Sequence, residues 1–284
     1  MKNLTIHVAV LGTLGLASMH VSATGFVNLP ATGFSVSGGT SAYTLCNTTG
    51  NFGWGLSSKP TISTNNTCAV FPANEATAPD SNYTGISAFP IASNSRDIVM
   101  NNTYTDFTNK TIGRLTQYVW RRAAESDYEC IYGTKIVLAG NSLEVTDIAL
   151  GGFDGLDIDV AYSSIPAIAN PIYRVGRTFT GVQYNVTGSL SQPPTTPPYS
   201  LSINTAQSAS INENWVNFTT SASWPSDYAS SMVYIRTSCS NSSPALTSNA
   251  VRLRQTRNGP LIEVSVPGLV PVGSLVTPVP VSPY

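Results

Sequence analysis

The stretch Tyr128–Gly140, YECIYGTKIVLAG, decides the predicted fold. It is rich in β-branched and aromatic residues, and Gly133 and Gly140 interrupt it, which is typical of strands. Six later runs carry the same residue types, and several of them alternate apolar and polar residues: 143–150, 155–162, 215–220, 232–239, 250–256 and 261–268. Turn residues separate many of these runs at intervals near the ~8–12 residues expected of sandwiches.

One segment, 107–128, also fits a helix, because Ile112, Leu115 and Val119 have helical spacing. Alternate residues over 116–120 equally fit one face of a strand, and the Thr, Tyr, Val and Trp content favours that interpretation. No part of the chain alternates strand and helix signals, which argues against a βαβ architecture. We therefore predict an all-β antiparallel β-sandwich, jelly-roll or immunoglobulin-like, with long loops and a proline-rich excursion.

The N-terminal residues 1–23 have the three parts of a signal peptide. Lys2 supplies the positive charge, Ile6–Ala17 is apolar, and Val21-Ser22-Ala23 is a small-residue cleavage site. The apolar part is shorter than the ~20 residues that a spanning helix needs. We predict cleavage near Ala23 and a location that is secreted, periplasmic or at the cell surface.

The remaining chain is predicted to form one β-sandwich domain over 24–268. The run 191–199, SQPPTTPPY, is expected to be a proline-rich loop or linker, and residues 269–284 an extended tail rich in proline and valine. No later segment is apolar over a comparable length, so no transmembrane anchor is predicted.

Composition excludes several kinds of function. The net charge is −1 and charged residues make up 10% of the chain, so no field attracts nucleic acid. The apolar content of 42% is sufficient for a core. Both histidines, His7 and His20, lie in the predicted signal. The mature protein would therefore lack histidine-dependent catalysis and histidine-ligated metals.

The four cysteines are widely spaced, which in an exported chain predicts disulfides. Three pairings are possible, and the sequence does not decide among them. We favour Cys46–Cys68 together with Cys130–Cys239.

The run Phe153–Tyr162, FDGLDIDVAY, resembles the catalytic signature of family-18 glycoside hydrolases, the chitinases. Asp154, Asp157 and Asp159 match the signature, but Ala161 stands where that family has its catalytic glutamate. The resemblance implies a (β/α)₈ barrel, which the strand pattern of this chain does not support. Without a proton donor the family's mechanism fails, so we predict a non-enzymatic protein.

The same three acids, Asp154, Asp157 and Asp159, have two other possible uses. With backbone carbonyls, and with Asp147, they could hold a calcium ion. As a carboxylate pair they could serve a carbohydrate-active protein. A solvated acidic strand face is the simpler alternative, and it would leave all three acids near their ordinary pKa. No other cofactor is predicted.

Two further sets of residues are candidates for binding. Arg252 and Arg254 alternate with apolar residues, and with Arg257, Arg174 and Arg177 they could form a basic strip for an anionic ligand. A solvated or ion-paired face is the alternative. Among the tryptophans, Trp224 is the best candidate for stacking on a sugar, since SASWPSDY is typical of a loop.

The sequence therefore predicts an exported, non-enzymatic β-sandwich protein with a structural or surface-interaction role. The alternative is a lectin-like carbohydrate-binding protein or a carboxylate-dependent carbohydrate-active one. The expected partner is a glycan or another surface protein, and not nucleic acid.

Overall fold

The computed structural model describes residues 26–36, 39–46, 69–71, 79, 89–102, 106–124, 127–140, 144–163, 169–170, 172, 174–179, 211–223, 228–255 and 262–277. Within these ranges every regular element is a β-strand and none is a helix, which confirms the all-β prediction. Outside them lie several predicted features: the signal peptide 1–23, the proline-rich run 191–199, Cys68, Trp224 and Arg257.

Seventeen strands are described: β1 (Val27–Asn28), β2 (Phe34–Val36), β3 (Gly39–Ser41), β4 (Tyr43–Leu45), β5 (Ala69–Phe71), β6 (Ala92–Asn102), β7 (Phe107–Ala123), β8 (Tyr128–Leu138), β9 (Glu144–Gly151), β10 (Asp159–Ser163), β11 (Ala169–Asn170), β12 (Arg174–Gly176), β13 (Trp215–Ser223), β14 (Ala229–Ser230), β15 (Val233–Cys239), β16 (Ala245–Gln255) and β17 (Ile262–Val270).

The first sheet contains nine of these strands. Its centre is the antiparallel series β6-β7-β8-β15-β10, and β1 and β5 both pair with β10. β14 pairs with β8 and is followed by β11. The β5–β10 and β11–β14 pairs are parallel, and the other described pairs of this sheet are antiparallel.

The second sheet has six described strands in the order β17-β16-β9-β13-β12-β4, with every pair antiparallel. A separate hairpin joins β2 and β3. The two sheets share one hydrophobic core. Its buried side chains include Ile98 and Leu115 of the first sheet and Ile148, Leu150 and Leu253 of the second. The fold is therefore two antiparallel layers, each with one apolar face turned inward.

The ambiguous segment 107–128 contains the long strand β7, as its residue content favoured. Its alternate residues Leu115, Gln117 and Val119 are buried, and β6 and β8 pair with it on its two sides. Neighbouring strands thus decide between the two patterns that the sequence allowed.

A glutamine links the two layers at one corner. The side-chain Oε1 of Gln117 in β7 accepts hydrogen bonds from the backbone N–H of Leu269 at 3.0 Å and from Nδ2 of Asn94 at 3.2 Å. Leu269 and Val270 belong to β17 and are buried, so regular structure extends into the first two residues of the predicted tail.

The disulfide Cys130–Cys239 joins β8 to β15, with the two Cα atoms 5.8 Å apart and a sequence separation of 109. This confirms one predicted pair. Cys46 is buried, but because Cys68 lies outside the described residues, the pairing Cys46–Cys68 stays a prediction. In the described part of the chain, no helix is long and apolar enough to cross a membrane.

Candidate functional site

A row of charged and polar side chains crosses five strands on the outer face of the first sheet. We call it the charge ladder: Arg122, Glu129, Arg236, Asp159 and Asn28, from β7, β8, β15, β10 and β1. The strand register creates it, because Arg122 lies opposite Glu129, and Asp159 lies opposite both Arg236 and Asn28.

The ladder is held by direct contacts. Arg122 Nη2 lies 3.0 Å from Glu129 Oε1, and Arg236 Nε donates to Asp159 Oδ2 at 3.0 Å, with Arg236 Nη2 donating to the same oxygen. Arg236 Nε also lies 4.0 Å from Glu129 Oε2, and Asn28 Nδ2 donates to Asp159 Oδ1 at 3.1 Å. Arg236 therefore bridges the two acids.

Both acids of the ladder titrate unusually. Burial raises the pKa of Glu129 above its ordinary value, with the Arg122 charge opposing and the Asp159 charge adding to the effect. Burial likewise raises the pKa of Asp159, opposed by the Asn28 hydrogen bond and reinforced by Asp157. The expectation of ordinary behaviour is thus wrong for Asp159, because its neighbours partly remove it from water.

The acidic run does not present its three carboxylates together. Asp154 and Asp157 are exposed in the turn before β10, whereas Asp159 is the first residue of β10 and belongs to the ladder. Gly155, with φ of 68°, turns the chain there, so the strand predicted over 155–162 begins only at Asp159. Among the described residues, no three Asp, Glu, His or Cys side chains are grouped to hold a metal ion.

A buried cation lies beneath this turn. Arg177 is fully buried, and its guanidinium donates to the carbonyl oxygens of Phe153 at 3.3 Å, Leu156 at 3.1 Å and Glu213 at 2.6 Å. Burial lowers the pKa of Arg177, and the charges of Glu213, Asp154 and Asp157 oppose that effect. The positive charge already present here disfavours a second cation at the same turn.

Arg252 and Arg254 lie elsewhere, on the outer face of the second sheet, where they are buried and not open to a ligand. Glu263 of β17 bridges them, with contacts of 2.6 Å to Arg252 Nη1 and 2.7 Å to Arg254 Nε. We call these three residues the buried charge cluster. Arg254 also donates to the carbonyl oxygen of Phe179 at 2.5 Å and lies over its ring. Arg252 and Arg254, two residues of the predicted basic strip, are therefore ion-paired inside the protein.

The cluster continues across the same sheet. Asp147 of β9 lies directly opposite Arg254, followed by Thr219 of β13 and Arg174 of β12. Arg174 lies over the ring of Tyr43, 4.0 Å from its centroid. Arg174 and Arg177, two other members of the predicted strip, are thus buried at different places.

The described tryptophans, Trp120 and Trp215, are fully buried. Tyr118 is a partly exposed aromatic residue of the first sheet, next to Trp120 with ring centroids 5.6 Å apart. Its cross-strand neighbours are Ser93 and Gly133, so neither carries a large side chain. Sequence reasoning missed this tyrosine because the pattern of β7 does not show which aromatic residue reaches water.

Hydroxyl and charged groups continue the surface beside Tyr118. Ser95 and Thr116 lie opposite each other with hydroxyl oxygens 3.5 Å apart. Arg114 Nε donates to Ser95 Oγ at 2.8 Å, and its Nη1 lies 3.5 Å from Asp97. We call Tyr118, Ser93, Ser95, Thr116 and Arg114 the Tyr118 patch.

Comparisons with protein-family models, with curated proteins and with solved structures find no match to this chain.

Proposed function

We propose that this chain is an exported, non-enzymatic β-sandwich protein with a structural or surface-interaction role, outside the cell or in a periplasm. The observation that carries the proposal is the disulfide between β8 and β15. Disulfides persist in oxidising compartments and are rare in the cytosol. The sandwich that we propose is of the jelly-roll or immunoglobulin-like class, and the two antiparallel sheets with a shared core support it.

The ion pairs support a structural use of the charged residues. Glu263 forms ion pairs with both Arg252 and Arg254 inside the protein, and Arg236 bridges Glu129 and Asp159 on the first sheet. A carboxylate that already accepts hydrogen bonds from an arginine is poorly placed to donate a proton to a substrate. These groups therefore stabilise the sheets.

Export is tested by producing the full chain with residues 1–23 in a secreting host. We expect a mature N-terminus at Thr24 and no free thiol in the exported protein, as measured by N-terminal sequencing and by mass after alkylation. A mature protein that begins at Met1, or one with free thiols at Cys130 and Cys239, would overturn the proposal.

A carbohydrate-binding function is the second candidate, and the Tyr118 patch favours it. A partly exposed tyrosine supplies an apolar face for a sugar ring, and adjacent hydroxyl and guanidinium groups supply hydrogen bonds. A glycan array and a chitin pull-down would test it. Binding that is lost in Tyr118→Ala and retained in Tyr128→Ala, a partly exposed tyrosine outside the patch, would support this function.

Catalysis and a resident metal ion are not part of the proposal. Ala161 is buried against Trp120 and Tyr234, so we expect Ala161→Glu to destabilise the fold without creating chitinase activity. Turnover of a chitin oligomer by the wild-type protein would contradict the non-enzymatic proposal. A calcium-dependent rise in Tm that is lost in Asp157→Asn would instead identify a calcium site.

A further inference from the structure

In the part of the chain that the structure describes, the long strand β6 is an edge of the first sheet. Within the described strands it pairs with β7 alone, from Ala92 opposite Val119 to Asn102 opposite Phe107. Such an edge presents unpaired N–H and C=O groups that can hydrogen-bond to another strand. With 11 residues, β6 is long enough for an extended interface.

The other layer does not close this edge. β17 approaches β6 and β7 through Gln117, whose buried side chain accepts the N–H of Leu269 and an N–H of Asn94. Because Gln117 points into the space between the layers, β17 lies beneath the first sheet and not beside β6. Among the described residues, no strand therefore covers the lateral side of β6.

The outward side of β6 and of the residue before it has an unusual composition for an exposed edge. Its alternate residues from Ile91 to Asn101 are exposed, and two of them are apolar: Ile91 is 37% exposed and Val99 42% exposed. Ser93, Ser95 and Asp97 lie between them. Two exposed apolar side chains on one edge favour a partner that covers both.

We propose that two copies of this chain associate through β6, antiparallel, about a two-fold axis at Ser95. An axis perpendicular to the sheet keeps the faces of both copies aligned, so residues equally distant from Ser95 on its two sides lie opposite each other. Ile91 then lies opposite Val99 of the second copy, and Ser93 opposite Asp97 of the second copy. On the inner face, Asn94 lies opposite Arg96 of the second copy.

Neighbouring registers are less favourable. A two-fold axis at Arg96 would place Arg96 opposite Arg96 of the second copy. An axis at Asp97 would place Asp97 opposite Asp97 of the second copy. Both registers are destabilised, because like charges would lie directly opposite each other. An axis at Asn94 places Ile91 opposite Asp97. With the axis at Ser95, Ile91 of each copy lies opposite Val99 of the other copy, and no like charges lie directly opposite each other. The edge is therefore complementary to itself, which favours a second copy over an unrelated strand.

The first test measures oligomeric state by sedimentation equilibrium of the mature full-length protein. We expect a concentration-dependent dimer, weakened at least about tenfold in Val99→Lys, because a lysine on the edge opposes strand pairing. Val272→Lys is the matched control, since Val272 is 48% exposed but lies outside β6 and should leave the dimer intact. A wild-type protein that is monomeric at all concentrations, or equal effects of the two variants, would overturn the proposal.

The second test fixes the register by cross-linking. Side chains directly opposite each other have Cβ atoms about 4.5–5.5 Å apart, close to disulfide geometry. We expect Ser95→Cys to form a covalent dimer on mild oxidation and Ser93→Cys alone not to do so. Ser93→Cys mixed with Asp97→Cys should form a heterodimer. Equal cross-linking of Ser95→Cys and Ser93→Cys alone would exclude this register.

Discussion

The buried charge cluster of the second sheet and the charge ladder of the first sheet use the same residue types in the same way. In each, an acid on one strand meets arginines on the same outward face of its sheet. They differ in solvent exposure: the side chains of Arg252, Arg254 and Glu263 are 2–3% exposed, whereas the four charged side chains of the ladder are 20–27% exposed.

This difference changes what each ion pair contributes. A charge that loses its partner in the interior retains its full desolvation cost, whereas water screens and solvates one near the surface. The alternation of arginines with apolar residues along a strand therefore identifies the outward face of the sheet. It does not show how much the ion pairs on that face contribute to the free energy of unfolding. Substitutions at matched positions measure that energy directly.

The largest effect is expected for Glu263→Gln. This change removes from the interior the carboxylate that contacts both Arg252 and Arg254, which should lower the free energy of unfolding by about 3–5 kcal/mol. Urea denaturation of the variant and the wild type measures the difference. A loss below about 1 kcal/mol would mean that water reaches the cluster.

A smaller loss is expected for Asp159→Asn in the ladder. Arg236 would lose a charged acceptor but would keep its contact with Glu129 and its access to water. We expect the free energy of unfolding to fall by about 1.5 kcal/mol in the same urea experiment. A loss equal to that of Glu263→Gln would remove the distinction between the two regions.

The pH dependence of stability separates the regions further. Because the pKa of Glu129 is raised in the folded protein, the folded state retains a proton that the unfolded state has already released. The contribution of Glu129 to the free energy of unfolding should therefore decrease as the pH rises from 4.5, the ordinary pKa of a glutamate, through the raised pKa of the folded protein. Urea titrations at several pH values should show this decrease in the wild type and a flatter profile in Glu129→Gln.

The smallest effect is expected for Asp97→Asn. Asp97 and Arg114 form an ion pair 3.5 Å apart whose side chains are more than half exposed. Its loss should change the free energy of unfolding by no more than about 0.5 kcal/mol. Like Glu263→Gln and Asp159→Asn, this variant removes one negative charge, so it controls for the change in net charge. A larger loss would show that the loss of charge, and not burial, explains the effects of all three variants.

The sequence was sufficient to predict most of the long strands, although not β6, and it did not show which strands lie beside each other. The residue content of β7 favoured a strand correctly, and the alternation in β16 placed Val251 and Leu253 on the core side. Nothing in a single strand shows that Glu263 on the next strand meets both Arg252 and Arg254, or what covers that face. Burial of a sheet's outer face is a property of the tertiary structure.

The candidate site illustrates the same limit. Asp159 was identified from its own run, but its partner Arg236 lies 77 residues further along the chain, and only the register of β10 with β15 brings them together. Glu129 reaches the ladder through the pairing of β7 with β8. A glycine at position 155 was the local signal that the acidic run turns before it becomes a strand.

Arg177 also has a consequence for how this sequence can vary. Its guanidinium holds carbonyl oxygens from two turns, at Phe153 and Leu156 and at Glu213, and lysine cannot reproduce that planar set of donors. Homologues that keep both turn lengths should therefore retain arginine at this position. Homologues with an insertion or deletion in either turn should have replaced it, so residue identity and loop length should co-vary in an alignment.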